Sequence, residues 1–236
     1  MSRRTLVYLV LSGLAAALFV RLGFWQISRL HERRARNAAV SARLAQPPGS
    51  VRTLPTDTGE AHFRRVHVAG RLDYAREIVL VNRTRQGSPG VHILTPLHVA
   101  GTDTLVLVNR GWVYSPNSAD VDLGRWREAD SLSADGWVDV PARLAGPAAL
   151  ASSPRAFRWL DRDAVARVVG APVAPYVIAL DPPPGNPPPD RPVRVPPPAL
   201  DEGPHRSYAI QWFFFAALAV VGAVVFARSE RGRERA

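Results

Sequence analysis

The sequence predicts two transmembrane α-helices flanking one extracytoplasmic α+β domain, mainly an antiparallel sheet or small barrel. Three observations predict it. Residues 209–227 carry no charge, and nineteen helical residues at about 1.5 Å each cross a bilayer core of roughly 30 Å. A second apolar run covers residues 5–20 and continues past Arg21 through Leu22-Gly23-Phe24-Trp25-Gln26. Between the two runs lie short β-rich segments broken by Gly, Asp and Pro, the spacing of an antiparallel sheet.

Taken in order, residues 5–27 form the first span. Arg3-Arg4 ahead of an apolar run is also the pattern of a twin-arginine signal, with Ala15-Ala16-Ala17 as its cleavage site. The run goes on through Leu18-Phe19-Val20 into an aromatic belt, which favours an uncleaved anchor. Residues 28–46 hold helix formers and extend the helix until Pro47-Pro48-Gly49 stops it. The β-rich domain occupies 60–180, with strands expected at 63–70, 77–82, 91–95, 104–109, 136–140 and 176–180. Residues 104–109 are apolar without alternation, which suits burial on both faces. Residues 161–169 read as a short helix, with Asp161 as N-cap and Gly170 just past its end. Residues 181–204 contain eleven prolines and read as a semi-rigid strap rather than sheet. Residues 207–227 form the second span, and 228–236 a basic tail. Two spans place both termini on one side. Arginines crowd the two short tails, which puts the termini in the cytoplasm and the domain outside, although Arg29, Arg33, Arg34 and Arg36 count the other way.

Composition excludes several functions. The net charge is +10 and every one of the 30 Lys or Arg positions is arginine, and no segment interleaves basic and aromatic residues as a nucleic-acid surface would. The absence of cysteine removes disulfides, thiolate metal sites and a cysteine nucleophile. No phosphate loop, nucleophile elbow or zinc-protease motif occurs, and the six histidines show no metal-ligand spacing, so no enzyme is expected.

The chemistry lies at the ends of the spans. On a helix, His205, Tyr208 and Trp212 share one face, with Gln211 at its edge. Gly23, Trp25, Gln26 and Arg29 end the first span at the same level. Such a layer could hold a flat amphiphile such as a haem, with an imidazole as axial ligand and arginines for the propionates. An interfacial aromatic belt with a snorkelling arginine has the same composition. In the domain, Asn109-Arg110-Gly111-Trp112 reads as a turn after the strongest strand, either a structural corner or a docking surface.

Four segments resemble the surfeit locus protein family, first member, the Shy-type cytochrome c oxidase assembly factors. They are Leu22-Gly23-Phe24-Trp25-Gln26-Ile27-Ser28-Arg29; Phe63-Arg64-Arg65-Val66 through Gly70-Arg71-Leu72-Asp73; Gly90 to Leu97 with Leu107-Val108-Asn109-Arg110-Gly111-Trp112-Val113; and His205-Arg206-Ser207-Tyr208-Ala209-Ile210-Gln211-Trp212-Phe213. They stand in the family's order between two spans. The resemblance implies a non-enzymatic role in assembling haem-copper oxidase, with haem a delivered to or stabilised in the catalytic subunit. It implies His205 as the axial ligand to the haem iron, the oxidase catalytic subunit as client and haem a synthase as a further partner. A haem-free scaffold that docks the client is the alternative. The chain departs from the family at Tyr114, where proline is usual, and at Gly203, where asparagine is usual.

Overall fold

Leu105–Tyr114 forms β5, and nine of its ten residues are buried. Leu105 and Leu107 enter one apolar cluster while Val106 and Val108 enter another, so the unalternating sequence does reflect burial on both faces. The computed structural model, which describes residues 3–183, 185 and 189–233, sets it in a sheet of nine strands. In chain order these are β1 (Gly49–Ser50), β2 (Arg65–Leu72), β3 (Ile78–Arg85), β4 (Ser88–His98), β5, β6 (Ser131–Asp139), β7 (Ala149–Leu150), β8 (Ser153–Phe157) and β9 (Val173–Leu180). The sheet order is β1-β2-β6-β9-β5-β4-β3-β8-β7. The β1–β2, β3–β8 and β5–β9 pairs are parallel and the others antiparallel. The sheet expected to be mainly antiparallel thus has mostly antiparallel pairs, and the three parallel ones make it mixed. It is not a clear barrel: the ladder between β2 and β4 is two residue pairs long, Arg71 with His98 and Leu72 with Leu97.

Several strands outrun their sequence signals. β3 and β4 meet at Gln86-Gly87, both at positive φ (50° and 79°), the two-residue hairpin whose twist matches the strands. β4 runs through Pro96, where the sequence suggested an end. The Pro96 carbonyl accepts from the Asp73 N–H at 2.8 Å, on the side away from β5. A residue's N–H and C=O point to the same side of a strand, so the missing donor costs the β4–β5 ladder nothing. The helix α3 (Arg162–Val169) starts at Asp161, whose side chain accepts from the Ala164 N–H, and ends at Gly170 in the left-handed region. It turns Val165 and Val169 onto the same cluster as Leu105, Leu107, Val173 and Val177. A short helix, α2 (Thr58–Ala61), precedes β2.

Residues 42–198 form this compact unit, and residues 1–41 with 199–236 form a second one. The second unit holds the two long apolar helices, α1 (Arg3–Leu44) and α4 (His205–Arg233). Both are long and apolar enough to cross a membrane. α1 joins the first span and its extension without a break and ends at Leu44. α4 starts before residue 207 and continues into the basic tail. Ala16, Gly23 and Leu30 are buried at seven-residue spacing on α1, and Ala209 and Ala216 on α4, the period of a coiled-coil seam. Small residues on that seam bring the helices close. A Cβ on Gly23 would stand 2.7 Å from the Phe213 ring. Pro184, Asn186, Pro187 and Pro188 of the expected strap, and residues 234–236 of the tail, lie outside the described residues.

Candidate functional site

Two constellations stand out, one in each unit. In the helical unit, His205 opens α4 and its Nδ1 lies 2.8 Å from the Oε1 of Gln26 on α1. Gln26 is buried and His205 half-buried. Among the described residues, Nε2 of His205 has no hydrogen-bond partner. Gly203 lies against that edge of the ring, where a Cβ would stand 3.7 Å from Nε2, at ordinary van der Waals distance. Phe213 packs between Gly23 and Phe24, edge-on to the Phe24 ring at 5.4 Å. Trp212 stacks on Phe19 at 5.7 Å.

The expected single layer therefore divides. Gly23, Gln26, His205 and Trp212 turn toward the seam. Trp25, Arg29, Tyr208 and Gln211 are exposed on the outer surfaces of the two helices. Arg29 lies 5.7 Å over the Trp25 ring and pairs with Glu32 at 2.7 Å. Below the seam, Arg33 and Arg34 of α1 hold Asp201 (3.1 Å) and Glu202 (2.7 Å), and Asn37 donates to the Asp201 carbonyl. These contacts fix the segment that leads into His205.

In the β-rich unit, the Asn109-Arg110-Gly111-Trp112 motif is not a turn. It lies within β5, because the ladder to β4 continues past a bulge to Tyr114. Arg110 is 1 % exposed. Its guanidinium reaches Glu77 at 2.6 Å, the Thr95 hydroxyl at 2.7 Å and Glu128 at 3.1 Å, and also donates to the Trp126 carbonyl. Thr95 in turn donates to Glu77. Arg194, from the proline-rich segment, makes a two-point pair with Glu128 (2.6 and 3.1 Å) and donates to the Arg110 carbonyl. Two guanidiniums thus face two carboxylates. Burial pushes the Glu77 carboxyl up, against the pull of Arg110 and the Thr95 hydroxyl. Tyr74 closes the group, with its ring 5.1 Å from the Arg110 guanidinium and its hydroxyl accepting from the Glu128 N–H.

The same motif anchors the strap. Gly111 has φ of 132°, and Val193 pairs with Trp112 through two backbone hydrogen bonds of 2.8 and 2.9 Å. The strap is therefore held on the sheet at this point, which composition alone did not suggest. Trp112 donates from its indole to the Arg83 carbonyl, and the Asn109 side chain accepts from the Gly111 N–H. The partners of Arg110 lie 15 to 33 residues away in the chain, and Arg194 is 84 residues away. No local signal in the sequence points to Glu77, Thr95, Glu128 or Arg194.

His92, on the neighbouring strand, faces the Asn109 amide at 3.3 Å. Burial and the nearby Arg83 guanidinium bring its imidazole down to about 4. The folded chain then keeps His92 neutral where an unfolded one takes up a proton. Stability is expected to fall as pH drops from about 6.5 to about 4, by up to roughly 3 kcal/mol, and to level off below that. Denaturant unfolding followed by tryptophan fluorescence across that window, beside His92→Gln, checks this. The variant's slope should be shallower.

The profile of the SURF1 family matches residues 13–217. A SURF1-like protein of Monosiga brevicollis is 31% identical over 102 residues, 39% of this chain and 39% of that protein. Surfeit locus protein 1 of Mus musculus is 24% identical over 166 residues, 64% of this chain and 54% of that protein. The chain thus covers only about four to five tenths of the length of these two relatives. A SURF1-like protein of Mycobacterium tuberculosis, itself uncharacterized, is 28% identical over 246 residues, 97% of this chain and 86% of that protein. The matched stretch takes in both the His205–Gln26 pair and the buried arginine network, and the chain belongs to the SURF1 family.

Proposed function

We propose that this chain is a membrane-anchored assembly factor for haem-copper cytochrome c oxidase that holds haem a, through His205, for the catalytic subunit. The observation that carries the reading is the His205–Gln26 pair. One imidazole nitrogen is engaged at 2.8 Å, and the other has no hydrogen-bond partner among the described residues and lies beside a glycine. That donor set fits a haem iron, which takes a neutral imidazole as axial ligand. When bound, the haem supplies the redox iron that the client needs; the chain's own residues only hold and release it. A single protein ligand suits release better than two would. Trp25 and Tyr208 keep exposed rings on the outer surfaces of the two helices, and Arg29, paired with Glu32, would have to exchange that partner to meet a haem carboxylate.

In this reading both termini are cytoplasmic and the domain stands on the outer face of the inner membrane, within reach of the oxidase catalytic subunit and of haem a synthase. Contact with the client goes through the surface that the arginine network keeps in shape, since the side chains of Asn109, Arg110 and Trp112 are themselves buried. The test is an optical spectrum of the detergent-purified chain co-expressed with the haem a biosynthetic enzymes, beside His205→Ala. The wild type is expected to show a haem band and the variant to lose most of it while keeping its fold. A band of equal strength in His205→Ala would sink the ligand assignment. Co-purification of the oxidase subunit without haem would leave the scaffold reading in its place.

A further inference from the structure

We infer that Gln26 is a positioning residue that fixes the tautomer of His205, putting the proton on Nδ1 and the lone pair on Nε2. The inference rests on the haem-holding reading for its purpose, but not for its geometry. The oxygen of the Gln26 amide, not its nitrogen, faces Nδ1 at 2.8 Å. A carbonyl oxygen only accepts, so Nδ1 must donate and therefore carries the proton. In a neutral imidazole the other nitrogen is then the acceptor, and only an unprotonated nitrogen can bind iron. Nε2 is also the nitrogen that has no hydrogen-bond partner among the described residues, and it lies on the edge of the ring toward Gly203.

The support for Gln26 comes from packing. It is 8 % exposed, on the same helical seam as Gly23 and Leu30. Gly23, one turn before it, is in close approach to Phe213 of α4, which sets the height at which the two helices meet. On the other side, Arg33 and Asn37 hold Asp201, whose carboxylate accepts from the Gly203 N–H two residues before His205. The amide and the imidazole are thus placed from both flanks. An imidazole that already has the right tautomer and orientation loses less freedom when it takes a ligand, and a hydrogen bond from Nδ1–H makes Nε2 more basic. Gln26 would act on haem through His205, without touching it. The sequence alone placed Gln26 in the haem layer itself.

The experiment uses the full chain in detergent, haem-free and then titrated with haem, as wild type, Gln26→Leu, Gln26→Glu and His205→Ala. Nitrogen-15 NMR of the haem-free protein at about pH 8, where an ordinary imidazole is neutral, reads the tautomer directly. The wild type should show His205 with an unprotonated Nε2. Gln26→Leu should show a mixture of tautomers, and Gln26→Glu should restore the wild-type one. Haem affinity should fall about 10- to 100-fold in Gln26→Leu, the usual loss when the partner of a ligating histidine is removed. Gln26→Glu should keep affinity and lower the reduction potential of the bound iron, because a carboxylate makes the ligand more basic. A wild-type protein with the proton on Nε2, or a Gln26→Leu variant with unchanged tautomer, affinity and potential, would overturn the inference. If the wild type binds haem and His205→Ala binds it equally, the functional reading fails and the ligand role of this hydrogen bond falls with it. The NMR result would still report the tautomer.

Discussion

Arg110→Met is expected to destabilise the β-rich unit by about 3–5 kcal/mol, enough to leave much of the protein unfolded. The reason is the imbalance it creates. Arg110 and Arg194 face Glu77 and Glu128, and both Arg110 and Glu77 are almost wholly buried, at 1 % and 2 % exposure. Removing one guanidinium leaves the Glu77 carboxyl in an apolar setting with the Thr95 hydroxyl as its remaining partner. Arg110→Lys should recover little, since an ammonium cannot serve Glu77, Thr95, Trp126 and Glu128 from one planar fork. Pairing Arg110→Met with Glu77→Leu should return part of the loss, because the orphaned charge goes too. Denaturant unfolding of the three variants measures this. A midpoint for Arg110→Met within experimental error of wild type would show that the network is not a source of stability.

Gly111→Ala is expected to free the strap from the sheet. A Cβ there would fall 2.4 Å from the Val193 carbonyl oxygen and 3.1 Å from the Arg194 nitrogen, which are backbone atoms and cannot swing aside. The φ of 132° adds strain of roughly 1–3 kcal/mol for any residue with a side chain. Displacing Val193 breaks its two hydrogen bonds with Trp112, at about 1 kcal/mol each, and draws Arg194 away from Glu128. Trypsin gives a clean reading. Arg191 is followed by Pro192 and resists cleavage, whereas Arg194 is followed by Val195 and is protected in the wild type by its burial. Gly111→Ala should be cut after Arg194 many times faster, and Arg194→Gln should show which other sites open. Equal cleavage of wild type and Gly111→Ala would mean that Val193 does not hold the strap.

Both residues lie in a segment that looked like a turn. Asn, Arg and Gly after an apolar strand carry a local turn signal, and β5 overrides it because each of them has a distant partner. Gly111 is required by the backbone of Val193, and Arg110 by two carboxylates from other parts of the chain. Local propensity cannot anticipate a contact made across 82 residues of chain.

The sequence by itself determined the two apolar helices, the strap's composition, the capped helix from Arg162 to Val169 and the burial of β5 on both faces. Each of these rests on periodicity or on the chemistry of neighbouring residues, which the chain carries locally. It also brought His205 and Gln26 to notice, through their places at the ends of the two runs. Only the tertiary structure decided that the sheet is mixed, that β9 enters between β5 and β6, that Val193 and Arg194 lock onto Trp112 and Glu128, and that Gln26 turns its oxygen to Nδ1 of His205. Strand order, buried ion pairs and side-chain hydrogen bonds depend on residues far apart in sequence. Their energies are set by burial and geometry that exist only once the chain has folded.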